Sequence, residues 1–100
     1  MVPSLNKRPI SSLTYEEMEK LCEIAEEAAR EYITSKVPSE YISNISISVD
    51  LEGSESLNVE VDVEAEFSPL YKKVNVKEIV EGSVKAALDA IEKYLDKIRS

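Results

Sequence analysis

Apolar and polar residues alternate without interruption in two neighbouring stretches of the chain, residues 45–52 and 57–67. Because successive side chains of a strand point to opposite faces of a sheet, each stretch predicts a half-buried β-strand. The sequence GSES at 53–56 lies between them and predicts the turn of an antiparallel hairpin. A two-stranded sheet is only marginally stable alone, so the rest of the chain must cover the apolar face of this hairpin.

The two flanking segments supply this cover, because both show the 3.6-residue periodicity of an amphipathic helix. Each begins with the pattern of a capping box, at residues 14–17 and 75–78. Pro38 predicts that the first helix ends near residue 35 or 36. The first apolar stripe consists of Met18, Leu21, Cys22, Ala25, Ala29, Tyr32, Ile33 and Val37, and the second of Val80, Val84, Ala87, Leu88, Ile91, Tyr94 or Leu95, and Ile98.

The resulting order α-β-β-α predicts an α+β fold: a two-layer sandwich, with two helices packed on one face of an antiparallel hairpin. Residues 13–100 are expected to form this single domain, and residues 1–12, which include Pro3 and Pro9, a flexible N-terminal arm. Gly82 lies inside the second helix, where glycine costs about 1 kcal/mol relative to alanine. A close contact between this helix and the sheet is one reason for a glycine at position 82.

The hairpin has two registers that place every apolar residue on the same face. In one register Asp50 lies opposite Glu60. In the other, shifted by two residues, Leu51 lies opposite Leu57 and no two acids are opposed. Like charges directly opposite each other destabilise a sheet. Avoidance of that pair predicts the second register, with residues 52–56 as a five-residue loop.

The composition restricts the possible partners. The formal net charge is −8, so phosphate backbones and anionic membranes would be repelled, and neither direct nucleic-acid binding nor membrane binding is expected. His is missing, which removes the most common general base and metal ligand. Without a signal peptide or an apolar run long enough for a span, the expected location is the cytoplasm. A composition rich in Glu and Lys and free of Gln is typical of thermophile proteins.

Four acids occupy the polar positions of the second alternating stretch: Glu60, Asp62, Glu64 and Glu66. They form a row with steps of about 6.6 Å, whereas a hard cation needs six to eight oxygens around one point. They also face water, and carboxylate catalysis requires one member in a dry pocket. We therefore expect no catalytic residue, metal or cofactor, and we expect Cys22 to be a core residue. The row is either a docking face for a basic protein partner or a solubilising surface.

The open edge of the first strand favours self-association. Pairing two copies of the second strand would place its acids beside their own copies, which like-charge repulsion disfavours. The first strand instead has serines in its middle. We therefore expect a two-fold homodimer, centred on residue 47 or 48, with the acidic second strands at the outer edges. Its edge consists of Ile45, Ser46, Ile47, Ser48 and Val49.

The chain resembles a family of small archaeal proteins with no assigned function. The features that carry this resemblance are the two acidic helices and the segment VEVDVEAEFSPLY between them, residues 59–71. Members of the family tend to be encoded near the prefoldin β subunit, and the family supplies no known catalytic residues. The element order is also similar, at the level of the fold, to the small dimerisation subunit of the KEOPS tRNA-modification complex, which begins with an additional strand. From the residues themselves we expect a non-catalytic interaction module or adaptor. The alternatives are an accessory subunit of a tRNA-modification or chaperone assembly, and an enzyme with an unrecognised acidic site.

Overall fold

The computed structural model describes residues 14–52, 58–72 and 75–99. The order α-β-β-α confirms the predicted α+β fold. A 3-10 turn at Ser39–Tyr41 joins the first helix to the first strand. The predicted arm and the GSES turn lie outside the described residues. The helices and strands are α1 (Tyr15–Lys36), β1 (Ile42–Glu52), β2 (Asn58–Phe67) and α2 (Val76–Arg99).

Both helices begin at the predicted caps. The Glu17 amide donates to Thr14 Oγ1 at 3.0 Å, and the Thr14 amide donates to Glu17 Oε1 at 2.9 Å, which completes the capping box of α1. At the start of α2, the Glu78 amide donates to Asn75 Oδ1 at 3.2 Å. α1 ends at Lys36, as Pro38 predicts. Local sequence signals therefore set where the helices start and where α1 stops.

The core lies between the two helices and the inner face of the hairpin. α1 packs on β1, α2 packs on β2, and the helices pack against each other. Ser83 is fully buried, although the predicted stripe omits it, and its hydroxyl donates to the Val80 carbonyl at 2.7 Å. A serine satisfied within its own helix fills the space of a small apolar residue. The hydrophobic core cluster comprises Leu21, Ala25, Ala29, Ile33, Val59, Val63, Ala87, Ile91 and Leu95.

Gly82 marks a close approach between the two helices. A Cβ atom at this position would overlap the phenol ring of Tyr32, which reaches across from α1. The same ring lies beneath Lys36, whose Nζ is 5.5 Å from the ring centroid. The close contact that requires glycine is therefore made with a helix and not with the sheet, and the helix–sheet reason for Gly82 is wrong.

The register of the hairpin is the one that opposes two acids. Asp50 pairs with Glu60 and Leu51 with Val59, so the prediction that Leu51 faces Leu57 is wrong. Both registers bury the same residues, because they differ by two positions and side chains alternate with a period of two. Contacts beyond the strands therefore decide between them.

These contacts lie where β1 begins and β2 ends. In the observed register the Ser68 amide donates to the Tyr41 carbonyl at 2.7 Å, and the Tyr41 and Tyr71 rings stack with centroids 4.8 Å apart. An irregularity between Ile42 and Asn44 adjusts the ladder at this end. A shift of two residues would move the Tyr41 backbone about 6.8 Å away from these partners. One exposed like-charge pair, at about 0.2–1 kcal/mol, is the smaller cost.

Candidate interaction surfaces

The outer face of the hairpin carries a continuous set of exposed carboxylates, here called the acidic face. The four predicted acids of β2 all lie on it, and β1 adds two more at its C-terminal end. Across the strands Ser46 faces Glu64 and Ser48 faces Asp62, so in the middle of the face a neutral row on β1 lies beside an acidic row on β2. The acidic face consists of Asp50, Glu52, Glu60, Asp62, Glu64 and Glu66.

Neither strand contributes a cation to this surface, since residues 42–52 and 58–67 contain no Lys or Arg. The carboxylates of β2 repeat about every 6.6–6.8 Å along the strand, within the screening length of about 8 Å at physiological salt. Their negative potentials therefore add up over the whole face. Simple exposure to water requires polar residues at these positions but does not require a single sign of charge.

A small depression opens on the acidic face where β1 ends and β2 begins. It has a volume of about 340 Å³ and is lined by Asp50, Glu52, Asn58, Val59 and Glu60. The three carboxylates are exposed to water. Among the residues that the structure describes, no group of three or more Asp, Glu or Cys side chains is arranged to hold a metal ion.

The predicted dimer edge belongs to β1, which pairs only with β2 among the residues that the structure describes. Ile45, Ile47 and Val49 turn inward beneath α1 but remain half-buried, while Ser46 and Ser48 are exposed on the outer face. In β2, by contrast, Val59 and Val63 are buried. The inner face of β1 is therefore less well covered than that of β2.

A groove of about 290 Å³ runs between the start of α1 and the C-terminal half of β1. Cys22 lies in its wall, half-buried, with Sγ 3.9 Å from the Val49 carbonyl oxygen. The sequence predicts that Cys22 is a core residue, whereas the structure places it at the margin of the core. Burial raises the pKa of the Cys22 thiol, and the Asp50 and Glu19 carboxylates raise it further. The groove is lined by Tyr15, Met18, Glu19, Cys22, Val49, Asp50 and Leu51.

A family model described as a protein of unknown function, DUF3194, matches residues 10–94. The chain belongs to the DUF3194 family. This membership confirms the resemblance to a family without an assigned function.

Relatives of this DUF3194 chain come from thermophilic archaea, in keeping with its Glu- and Lys-rich composition. An uncharacterised protein of Pyrococcus furiosus, PF0383, is 27% identical over 89 residues, which are 89% of this chain and 79% of that protein. The solution structure of the hypothetical protein mth677 from Methanothermobacter thermautotrophicus has a TM-score of 0.76 at 25% identity and covers 89% of this chain and 96% of its own. A crystal structure from Thermococcus onnurineus has a TM-score of 0.73 at 23% identity, covers 92% of this chain and 88% of its own, and shares the fold.

The opposite end of the hairpin in this DUF3194 chain presents an aromatic pair and an exposed leucine. Tyr41 and Tyr71 stack with 26° between their ring planes. Ser68 shapes the turn: its Oγ accepts from the Leu70 amide at 3.2 Å, and its carbonyl accepts from the Tyr71 amide at 3.0 Å. Leu70 is left 82% exposed. The sequence indicates only a loop here, although the Ser-Pro pair at 68–69 is the signal that predicts this turn.

No helix within the described ranges is both long and apolar enough to cross a membrane.

Proposed function

We propose that the protein is a non-catalytic interaction module of the archaeal cytoplasm, which docks a basic protein partner on its acidic face. The observation that carries this proposal is the single sign of charge on that face, where all six carboxylates are exposed and neither strand contributes a Lys or Arg. A solvated sheet face is ordinarily a mixture of both signs. A face of one sign instead attracts and orients a partner of the opposite sign.

The same electrostatics define the class of partner. Phosphate backbones and anionic membranes are repelled by a chain with a net charge of −8, so direct binding to either is not part of the proposal. A strand or helix that presents Lys and Arg at intervals of about 6–7 Å would match the carboxylate spacing along β2. Arginine suits this role best because its guanidinium can bind a carboxylate through two parallel hydrogen bonds.

Exposure of the carboxylates supports the non-catalytic part of the proposal. Acid–base chemistry with paired carboxylates requires one of them to lie in a dry pocket. Asp50, Glu52 and Glu60 around the depression are all exposed, as are the remaining members of the acidic face. We therefore assign the surface a role in recognition.

The test compares two variants with equal net charge, each used as immobilised bait in an extract of the host cells. A protein that the wild type retains is then purified and its affinity measured by calorimetry. Both variants lose three negative charges, from −8 to −5, and all six positions are exposed, so they differ in which surface is neutralised. The face variant carries D62N, E64Q and E66Q on β2, and the control carries E23Q, E27Q and E31Q on α1.

We expect the control to bind within about threefold of the wild type and the face variant to bind at least about tenfold more weakly at ~50 mM salt. The difference should shrink at ~0.3 M salt, because exposed charges are then screened. Equal binding by the face variant and the wild type would show that the acidic face is only a solubilising surface. Retention that disappears after nuclease treatment would contradict a protein partner.

A second proposal is that the module serves as an accessory subunit of a tRNA-modification or chaperone assembly. It is supported by the gene neighbourhood that the family resemblance implies and by the fold-level likeness to the KEOPS dimerisation subunit. In that case the chemistry belongs to the partner, and the retained protein in the same experiment would be a component of such an assembly. Identification of the retained protein by mass spectrometry shows whether it is a component of such an assembly, and this distinguishes the two proposals.

A further inference from the structure

β1 is the least covered element of the core. All of its inward-facing apolar side chains are half-buried, whereas β2 contributes Val59 and Val63 to the buried core. Among the described residues β1 pairs with β2 alone, so the backbone N–H and C=O groups on its other side have no ladder partner. The groove between α1 and β1 runs beside this open edge. An unpaired backbone next to incompletely covered apolar side chains is a surface suited to another strand.

We propose that a second copy of the chain occupies this edge, paired antiparallel with β1 about a two-fold axis at Ser48. The regular part of β1 begins after the irregularity between Ile42 and Asn44 and continues to Glu52. Ser48 is the midpoint of residues 44–52, so this axis uses the whole regular strand, about 30 Å long with about eight to ten new hydrogen bonds. An axis at Ile47 would instead run the ladder into the irregularity. This inference does not depend on the docking function proposed above.

The inner face is self-complementary about this axis. Ile47 lies opposite Val49 of the second copy, and Ile45 lies opposite Leu51 of the second copy. Each half-buried aliphatic side chain therefore meets another one, twice by symmetry. Cross-strand pairs of β-branched residues stabilise a sheet, and the α1–β1 groove would be covered at the same time.

The outer face is self-compatible in charge. Ser48 meets its own copy, Ser46 meets Asp50 of the second copy, and Asn44 meets Glu52 of the second copy. No acid lies directly opposite another acid across the new junction. The two copies of Asp62 would be separated by three strand spacings, about 14 Å, which exceeds the screening length at physiological salt.

Other ways of covering an edge fit less well. Antiparallel pairing of β2 with its copy, about any centre from Val61 to Glu64, opposes acids directly, because residues 60–66 carry one at every second position. Residues 1–12 of the same chain include Pro3 and Pro9, which have no amide hydrogen to give to a ladder. A second β1 is therefore the occupant with the best match.

Two lysine substitutions on β1 test the axis with matched chemistry. Both S46K and S48K lie on the exposed face, change the net charge from −8 to −7, and place a lysine opposite an acid of the same hairpin, Glu64 or Asp62. Across the proposed junction they differ. S48K places lysine against its own copy, whereas S46K places lysine against Asp50 of the second copy, twice by symmetry. The measurement is light scattering of the full chain from about 1 to 100 µM, with circular dichroism to confirm that both variants fold.

We expect the wild type to have twice the mass of one chain at tens of micromolar. S48K should raise the dimer dissociation constant by up to about fivefold, and S46K should leave it unchanged or lower it. The alkylation rate of Cys22, the only cysteine, should fall as the wild-type concentration rises. A wild type that stays monomeric at 100 µM would overturn the proposal. A dimer that S46K and S48K weaken equally would overturn the axis at Ser48, and a dimer insensitive to both would show that another surface associates.

Discussion

Replacement of Gly82 by alanine tests the contact between Gly82 in α2 and the Tyr32 ring in α1. An added Cβ would overlap the Tyr32 ring, so this half-buried ring must move before alanine fits. Its movement would also disturb the contact with Lys36, whose Nζ is 5.5 Å from the ring centroid. In most helices the same change is stabilising, and here we expect the opposite sign.

The expected magnitude follows from two opposing terms. Alanine gains about 1 kcal/mol over glycine in a helix interior. Overpacking a filled contact costs about 1–3 kcal/mol. The free energy of unfolding of G82A should therefore be lower than that of the wild type by up to about 2 kcal/mol. When Tyr32→Ala has already removed the ring, G82A should instead stabilise by about 1 kcal/mol, which gives a coupling of about 1–3 kcal/mol between the two sites.

Urea unfolding followed by far-UV circular dichroism measures all four members of this cycle. For a chain of 100 residues, 1 kcal/mol corresponds to about 4–8 °C in Tm, so thermal melts give an independent check. The exposed position Lys85 in the same helix provides the control, since the difference between K85A and K85G reports helix propensity without packing. The reasoning is refuted if G82A raises the free energy of unfolding by as much as the difference in that free energy between K85A and K85G.

Three further expectations concern caps, charge and the thiol. T14A removes the Thr14 cap of α1 and should lower stability by about 1 kcal/mol, whereas T14S should retain most of it; chemical denaturation compares them. Mutual repulsion on the acidic face should make Tm rise between ~20 mM and ~0.3 M salt, and less so in the D62N/E64Q/E66Q variant; an unchanged or falling wild-type Tm would contradict a repulsive face. Because burial raises the pKa of the Cys22 thiol, the folded chain keeps its proton to higher pH than the unfolded chain, whose thiol titrates near the ordinary value of 9.0. Stability should therefore fall as pH rises above about 9, and C22A should reduce that slope in melts from pH 8 to 10.5.

Local signals made much of the fold predictable from the sequence. The Thr14 capping box, the Asn75 cap and Pro38 act within a few residues of their own positions, and the two helices start, and α1 ends, where those residues indicate. The alternation in the two strands likewise assigns each side chain to a face without knowledge of the partner strand. The inner and outer faces, including the placement of the four acids of β2, follow from that alternation.

The register could not be predicted in this way, since a shift of two residues leaves every side chain on the same face. Opposed Asp50 and Glu60 are a local cost that the sequence displays openly. The compensating contacts join the 3-10 turn to the loop after β2: Ser68 with the Tyr41 carbonyl, and Tyr41 with Tyr71. These residues are far apart in sequence, and nothing in the spacing of the strands indicates that they meet.

The packing partner of Gly82 and the burial of Ser83 could not be predicted for a related reason. Periodicity counts apolar residues, so it omits a buried serine and treats a glycine as a cost. At Gly82 the small size is the property that matters, because it lets the Tyr32 ring lie against the backbone of α2. Ser83 is fully buried in the same helix. Only the position of the opposing helix shows which small residues serve packing.

The distribution of charge along β1 also bears on the edge that we propose for self-association. β1 is neutral in its first half, at Asn44, Ser46 and Ser48, and acidic in its second half, at Asp50 and Glu52. An antiparallel two-fold pairing brings the acidic half of each strand against the neutral half of the other, whereas every such pairing of β2 brings acid against acid. The uniform row of acids on β2 thus protects the edge of β2 from pairing with further strands. The edge of β1, with one neutral and one acidic half, can pair with its own copy. If the dimer forms through β1, the two acidic faces become one surface of twelve carboxylates, twice the six of a single chain, and the basic partner would meet a wider target than one hairpin provides.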